Sequence, residues 1–181
     1  MTERQEFKVL QTYENFELRE YLPCVIAEVR VSAQYSTSTS SAFSTLFNYI
    51  SKGNKSSEAI AMTAPVITAQ KADSDESGEW HVSFVMPAGR NIGQMPNPNN
   101  SQIELRELGA EICVAKSFRG RATDDLARKI SKELRSSAAK ENIALSTETR
   151  ICRFDPPFKP GLFQYNEIVT RMNSLVDSAN A

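Results

Sequence analysis

The chain contains a single histidine, and this limits the chemistry that its side chains can perform. His81 lies in the segment WHVSFV, where apolar residues give a strand-like pattern. A Ser-His-Asp or Cys-His triad would have to include His81, and a metal site with two histidines is impossible. We interpret His81 first as an exposed or hydrogen-bonded strand residue, and only second as a metal ligand or general base.

The acidic residues fall into two groups with different expected roles. One group clusters in the polar stretch KADSDESGE, which is typical of an exposed hairpin loop. The other group, Glu17, Glu20 and Glu167, lies in or beside strand-like segments, where salt bridges with Arg19 or Arg153 are favoured over acid–base catalysis. The sequence has neither a GxSxG nucleophile elbow nor a GxxxxGKS/T phosphate loop, so nucleotide-dependent chemistry is disfavoured.

Three cysteines, Cys24, Cys113 and Cys152, are widely spaced along the chain. This spacing fits reduced thiols better than a disulfide framework or a CxxC metal site. Because free cysteine is among the most buried residue types, we expect plain buried thiols.

The charge balance and the apolar pattern limit which partners and which cellular compartment are expected. A formal net charge of -1 gives no electrostatic attraction to a polyanion, so nucleic acid is not expected as a partner. The first twenty residues mix charges throughout, and no stretch approaches the ~18 apolar residues of a membrane span. We therefore expect a cytoplasmic protein with no membrane span.

The same order of elements occurs twice along the 181 residues. The strand-like segment PCVIAEVRV precedes the helical segment SSAFSTLFNYISKGN and two more strand-like segments, AIAMTAPVITAQ and WHVSFVMP. The order recurs in EICVAKSFRG, TDDLARKISKELRSSAAKEN, TETRICRF and LFQYNEIV. We predict one α+β domain over 1–181, with a curved antiparallel sheet, two helices, and pseudo-two-fold halves at about 13–90 and 101–172, followed by a tail at 173–181.

Each predicted helix has a clear apolar face. In the first, apolar residues recur at i, i+3, i+4 and i+7, and Gly53 is expected to end the helix. In the second, Leu126, Ile130 and Leu134 recur every four residues, and Thr123 is the expected N-cap. The residues on the face of the first helix are Phe43, Leu46, Phe47 and Ile50.

Five motifs occur in a fixed order: FELREYLP, FSTLFNYISKGN, IAMTAPV, VSFVMP and FDPPFKPGLFQYNEIV. Together they closely resemble the SOUL haem-binding protein family, from about Tyr13 to Thr170. The resemblance implies a distorted antiparallel β-barrel flanked by two helices. It also implies non-covalent binding of haem or another tetrapyrrole by an intracellular carrier or buffer.

The resemblance also implies where the ligand lies. It would occupy a shallow apolar groove beside the first helix and near the Pro-rich loop, with Lys159 as a cation for the propionates. The residues that match this groove are Phe43, Leu46, Phe47, Ile50, Phe158 and Lys159.

Three positions depart from branches of this family. Glu20 stands where one branch has a histidine that resembles an iron ligand, and Ser40 and Asn48 stand where another branch has basic residues on the first helix. Without the axial histidine, the sequence leaves His81 as a weak candidate for binding iron.

Two other classes of function stay open at this point. One is an enzyme that acts on an apolar small molecule and uses Glu20, His81 or Tyr165 for proton transfer. The other is a ligand-sensing module similar to the gyrase-inhibitor-like domains, which share the duplicated plan of strand, helix, strand and strand.

Overall fold

The computed structural model describes residues 2–32, 35–70 and 79–175, with side chains for all of these except 35–38 and 174–175. Most of the predicted polar loop, including Asp73, Asp75 and Glu76, lies outside the described residues, and so does the tail from residue 176 onwards.

The described chain forms two α-helices, α1 (Tyr35–Ile50) and α2 (Asp124–Lys140), and two short 3₁₀ helices at Ile92–Gln94 and Gly161–Phe163. The strands are β1 (Glu3–Arg4), β2 (Phe7–Thr12), β3 (Glu17–Tyr21), β4 (Cys24–Ser32), β5 (Thr63–Ala64), β6 (Val66–Gln70), β7 (Glu79–Val85), β8 (Ile103–Leu108), β9 (Glu111–Arg119), β10 (Ile143–Leu145), β11 (Thr149–Arg153) and β12 (Tyr165–Leu175).

Nine of these strands form one curled antiparallel sheet in the order β2-β3-β9-β12-β11-β6-β7-β4-β8, and β10 pairs with the end of β12. The remaining strands, β1 and β5, form a short parallel pair. The fold is therefore α+β with a curled, barrel-like antiparallel sheet and two helices, as the sequence predicted.

The order of the central strands is symmetric about the contact between β6 and β11. Reading outwards from that contact, one side gives β6, β7, β4 and β8, and the other gives β11, β12, β9 and β3, so that the outer strands β8 and β3 each come from the other half of the sequence. In each half, the helix connects the third strand to the first. This arrangement is the predicted pseudo-two-fold duplication; the exact boundaries of the halves stay a prediction.

Both helices pack on the same face of the sheet. Ile151, Thr68 and Val82 lie opposite one another in neighbouring strands and so share a face. Leu46 of α1 belongs to the same core cluster as Val82, and Leu134 of α2 belongs to the same cluster as Ile151. We call this side of the sheet the helix face.

The other side of the sheet, which we call the open face, carries a third core cluster and a row of buried polar groups. The cluster is built around Ile26, Ile67, Cys152 and Val169. Because successive residues of a strand point to opposite faces, each strand divides its side chains between the helix face and the open face.

The two helices begin and end for identifiable local reasons. Thr123 caps α2, and its hydroxyl accepts a hydrogen bond from the Leu126 amide at 3.3 Å, as predicted. The α1 helix begins at Tyr35, five residues before the predicted segment, and ends at Ile50. The Gly53 amide then donates to the Asn48 carbonyl, and a Cβ at Gly53 would overlap Asn48, so a glycine is required there.

No helix within residues 2–32, 35–70 and 79–175 is long and apolar enough to cross a membrane. The longer of the two, α2, has 17 residues and carries charges along its length.

Candidate functional site

The four predicted groove residues of α1 divide into two pairs. Leu46 is fully buried and Ile50 nearly so, because both pack into the core beneath the helix. Phe47 is 49% exposed and Phe43 is half-buried. Phe43 and Phe47 are thus the members of the set that a ligand can contact directly.

Phe43 and Phe47 stack against each other on α1. Their rings are almost parallel, with centroids 5.9 Å apart and an angle of 11° between the ring planes. Phe43 in turn packs its edge against Phe84 of β7, with a centroid distance of 5.2 Å. The helix and the sheet below therefore hold the exposed ring pair in place.

The other part of the predicted site is the loop between β11 and β12. Phe158 is 86% exposed, and Lys159 lies next to Asp155, with Nζ 2.8 Å from Oδ2. The amide of Gln164 donates through Nε2 to the Lys159 carbonyl, which fixes the base of the loop. The ion pair between Asp155 and Lys159 and the bond from Gln164 hold this part of the loop. The Phe158 side chain, in contrast, faces solvent.

This loop belongs to the second half of the fold, whereas α1 belongs to the first. Gly161 packs near Arg121, which lies three residues before the start of α2. Phe158 and Lys159 thus lie in a different half of the fold from the four predicted groove residues of α1.

Between the helices, strands β6 and β11 form the floor of a groove. The main contacts of α1 are with β4 and β7, and those of α2 are with β9, β10 and β12. In the middle of the floor, Thr68 is fully buried and Ile151 is 5% exposed. The ends of the floor are formed by two opposed pairs, Arg153 with Val66 and Thr149 with Gln70.

Sequence reasoning did not assign Arg153 to the groove. Its Nη1 donates to Thr68 Oγ1 at 3.0 Å, and its register partner Val66 lies opposite Phe84. Burial removes water from the guanidinium and lowers the pKa of Arg153 to about 10. Arg153 thus places a poorly hydrated cation on the same face as the Phe43–Phe47 pair.

The three positions that depart from the family branches have different surroundings. Glu20 lies on β3, opposite Ile112 of β9, in the second half of the sheet and away from the strands that α1 covers. Ser40 and Asn48 are both exposed on α1. Of the three, only Ser40 and Asn48 lie on α1.

His81 lies on the open face and is held between two carboxylates. Its Nδ1 is 3.1 Å from Glu28 Oε1, and its Nε2 is 3.1 Å from Glu79 Oε1. Both ring nitrogens are therefore engaged, which fits the interpretation of His81 as a hydrogen-bonded strand residue. Within the described residues, no group of three or more His, Cys, Asp or Glu side chains could hold a metal ion.

Glu28 is the centre of this polar cluster on the open face. Besides His81, it accepts hydrogen bonds from Ser83 Oγ at 3.2 Å and Arg106 Nη2 at 2.8 Å. Burial alone would raise the pKa of Glu28, but the hydrogen bonds from His81 and Arg106 outweigh burial and lower it.

A second polar cluster on the open face joins Arg19 and Glu167, one of the salt bridges that the sequence favoured. The hydroxyl of Tyr165 donates to Glu167 Oε1 at 2.6 Å, and Arg19 lies over the ring of Phe7 at 4.1 Å. Burial and the bond to Glu167 raise the pKa of Tyr165 to about 12. Tyr165 therefore keeps its proton near neutral pH.

A cavity of about 640 Å³ lies on the helix face against α2. Trp80, Gln70 and Thr149 contribute to its walls, and so do several cationic residues of α2. Sequence reasoning missed this cavity, because its walls come from segments up to about eighty residues apart that only the strand register brings together.

Comparison with known proteins gives one family match. The family model described as SOUL heme-binding protein matches residues 2–171. No curated protein matches the chain significantly.

Several solved structures share the fold at low sequence identity. The C-terminal domain of EcmrR is 15% identical, with a TM-score of 0.66 over 93% of this chain and 98% of that chain. A hydrolase encoded by lin2189 from Listeria innocua is 10% identical, with a TM-score of 0.59 over 90% and 94% of the two chains. SAV2435 bound to tetraphenylphosphonium is 10% identical, with a TM-score of 0.53 over 88% and 94%. At these identities the likeness concerns the fold alone.

Proposed function

Because the chain belongs to the SOUL haem-binding protein family, we propose that it binds haem or another tetrapyrrole non-covalently, as an intracellular carrier or buffer. The observation that carries this proposal is the family match, which extends over residues 2–171. The arrangement of α1 and the groove beside it supports a location for the ligand.

The ligand lies against the Phe43–Phe47 pair of α1. A tetrapyrrole is a flat apolar ring, and the exposed ring of Phe47, stacked on Phe43, offers it an aromatic contact. Removal of apolar surface from water contributes about 25 cal/mol per Å², so a large flat ligand gains most of its affinity in this way. Phe158, Leu162 and Phe163 of the loop are also exposed, and they would supply further apolar surface to a ligand that extends to the loop.

The propionates of the ligand pair with Lys159 and Arg153. Lys159 is half-buried and lies at the loop, where it can exchange part of its contact with Asp155 for a ligand carboxylate. Arg153 is poorly hydrated in the groove floor, so a carboxylate placed beside it would stabilise its charge.

The ring face, and not the iron, provides the binding energy. His81 lies on the open face with both nitrogens engaged by Glu28 and Glu79, and Glu20 lies away from α1. We therefore expect iron-free protoporphyrin to bind about as well as hemin.

The test is a titration of the purified protein with hemin and with protoporphyrin, followed by the Soret band. Phe47→Ala should weaken binding of both rings by about tenfold, since a stacked aromatic contact is lost. Leu10→Ala is the matched control, because Leu10 is also 49% exposed but lies on the edge strand β2. His81→Ala should leave the spectrum unchanged.

Two outcomes would overturn the proposal. One is the absence of saturable binding to either ring. The other is an equal loss of affinity in Phe47→Ala and Leu10→Ala, which would indicate nonspecific adsorption to exposed apolar side chains.

A second candidate function is binding of an apolar cation as a sensing module. It is favoured by the fold shared with SAV2435 bound to tetraphenylphosphonium, and by the buried carboxylate of Glu167 on the open face. However, Glu167 is already neutralised by Arg19, so a cation would have to displace Arg19. A titration with tetraphenylphosphonium, compared between the natural protein and Arg19→Met, tests this candidate.

A further inference from the structure

The cavity against α2 is built from one face of the helix and a row of residues across the sheet. Asp124, Arg128, Ser131 and Arg135 are spaced by four, three and four residues and so share one side of α2. Opposite them, the register aligns Thr149, Gln70 and Trp80 across β11, β6 and β7. Because strands are spaced by about 4.8 Å, this row is about 10 Å wide. The volume of about 640 Å³ lies within the ~300–1,000 Å³ typical of small-molecule sites.

The floor of the cavity is apolar. Trp80 is 6% exposed, Ile151 is 5% exposed and Ala127 is 3% exposed, so these side chains are fixed by packing. An indole and a branched aliphatic side chain together suit a flat or aromatic ligand body.

The rim of the cavity is cationic. Arg128, Lys129, Lys132 and Arg135 contribute four positive charges and Asp124 one negative charge, which leaves a formal charge of +3 in a chain whose net charge is -1. Arg135 is anchored, since it donates to the Ser146 carbonyl and to Thr149 Oγ1, both at 2.9 Å. The cavity therefore complements an anion.

The pseudo-two-fold axis relates this cavity to the α1 side of the groove. The axis passes between Thr68 and Ile151 and exchanges the end of the floor at Thr149 and Gln70 with the end at Val66 and Arg153. At one end, α1 presents phenylalanines; at the other, α2 presents arginines and lysines. The duplication thus gives one groove whose two ends carry different side chains, aromatic at one end and cationic at the other.

We propose that the cavity against α2 is a second binding site, which takes a small aromatic anion. The aromatic body lies on Trp80 and Ile151, and the carboxylate or other acid group pairs at the rim with Lys132 and with Arg128, whose Nη2 also lies 2.8 Å from Asp124 Oδ2. This site does not depend on the tetrapyrrole proposal.

The test uses 2-naphthoate as the probe, with neutral 2-naphthamide as its uncharged counterpart. Trp80 is the single tryptophan of the chain, so its indole N–H gives one resonance that reports directly on the floor of the cavity. We expect a saturable shift of this resonance with 2-naphthoate, a much weaker response with 2-naphthamide, and lower affinity at high salt.

The double variant Arg128→Gln/Lys132→Gln should bind 2-naphthoate about tenfold more weakly. Both side chains are exposed, so the variant should fold normally. Lys140→Gln is the control, because Lys140 is also an exposed cation of α2 but does not line the cavity. Phe47→Ala should leave 2-naphthoate binding unchanged, since Phe47 lies at the other end of the groove.

Three results would overturn the proposal: a Trp80 resonance that does not respond, equal responses to 2-naphthoate and 2-naphthamide, or an equal loss in Lys140→Gln. A fourth result, loss of hemin binding in the double variant with none in Phe47→Ala, would assign the tetrapyrrole itself to α2 and overturn the existence of two separate sites. Failure of hemin binding alone would leave the anion site intact.

Discussion

Arg19 and Glu167 form a two-point salt bridge across the open face, with Nη1 2.8 Å from Oε2 and Nη2 3.0 Å from Oε1. The side chains are 6% and 4% exposed, and they connect β3 to β12 across β9. Removing one partner leaves a buried charge uncompensated. We therefore expect Glu167→Gln to lower the free energy of unfolding by about 3 kcal/mol, measured by urea denaturation.

The control for this prediction is the exposed pair Arg30–Glu104, whose side chains are 56% and 54% exposed. Glu104→Gln should change the free energy of unfolding by less than about 1 kcal/mol. The double variant Arg19→Met/Glu167→Leu should recover much of the stability lost in Glu167→Gln. Equal effects of Glu167→Gln and Glu104→Gln would contradict the assignment of a buried pair.

The polar cluster around Glu28 predicts a specific acid sensitivity. The pKa of Glu28 in the folded protein is lowered from its ordinary value of 4.5, so the folded state binds its proton less readily than the unfolded state. The stability that results is present above pH 4.5 and is lost as the pH falls through the lowered pKa.

Urea denaturation at a series of pH values from 7 down to 3 tests this for the natural protein and Glu28→Gln. The difference in unfolding free energy between the two should shrink as the pH falls below 4.5. Other carboxylates contribute to both proteins and cancel in the difference. If the difference in unfolding free energy does not change between pH 5 and pH 3, the contacts with His81 and Arg106 do not stabilise the ionised Glu28 carboxylate.

The three thiols should be unreactive in the folded protein. Burial raises the pKa of Cys24 to about 11 and that of Cys113 to about 12, and it also raises the pKa of Cys152. Reaction with Ellman's reagent at pH 7.5 should be slow, with the half-buried Cys24 reacting first, and all three should react at once in guanidinium. Fast reaction of Cys113 or Cys152 would mean that the sheet opens readily.

Helices and strands with a clear buried face could be predicted from the sequence, whereas largely exposed strands could not. The helix α2 was predicted almost to its ends, because Thr123, Asp124 and the apolar spacing all agree. The edge strand β2 was missed. All six of its residues are exposed, so its sequence shows no alternation between buried and exposed positions. The strand β8 also carries several charges and was not assigned, whereas β3 was indicated only as a strand-like segment in or beside which Glu17 and Glu20 lie.

The site was only partly predictable for a similar reason. Helical spacing placed Phe43, Leu46, Phe47 and Ile50 on one side of α1, but it could not separate the buried pair from the exposed pair. Arg153, Trp80 and Thr149 reach the helix face through the register of strands from both halves of the chain. Strand pairing between distant segments depends on tertiary structure, so it could not be predicted from a local sequence pattern.

The buried and the exposed residues of α1 should differ in how much they contribute to stability. Leu46→Ala should lower the free energy of unfolding by about 2–5 kcal/mol, because it leaves a cavity in the core. Phe47→Ala should lower it by about 1 kcal/mol or less, since half of the ring is exposed. Denaturation curves of the two variants compare these values, and a larger loss in Phe47→Ala would contradict the exposed position of its ring.

A gain of affinity should follow from adding a cation beside the proposed tetrapyrrole. Asn48 is exposed and directly follows Phe47 on α1, at a position where the resemblance to the family implies a basic residue in one branch. Asn48→Lys should therefore strengthen hemin binding about threefold to tenfold, because a propionate gains a charged partner. The effect should diminish at high salt, since the new pair is exposed to solvent.

Glu14→Gln serves as the control for this gain, because it also raises the net charge by one, at an exposed position outside α1. If Glu14→Gln strengthens hemin binding as much as Asn48→Lys, the gain reflects overall charge alone. If Asn48→Lys strengthens binding while Glu14→Gln does not, the propionates lie within reach of α1. Combining Asn48→Lys with Phe47→Ala should then lose most of the gain, since the cation acts only on a ring that Phe47 holds in place.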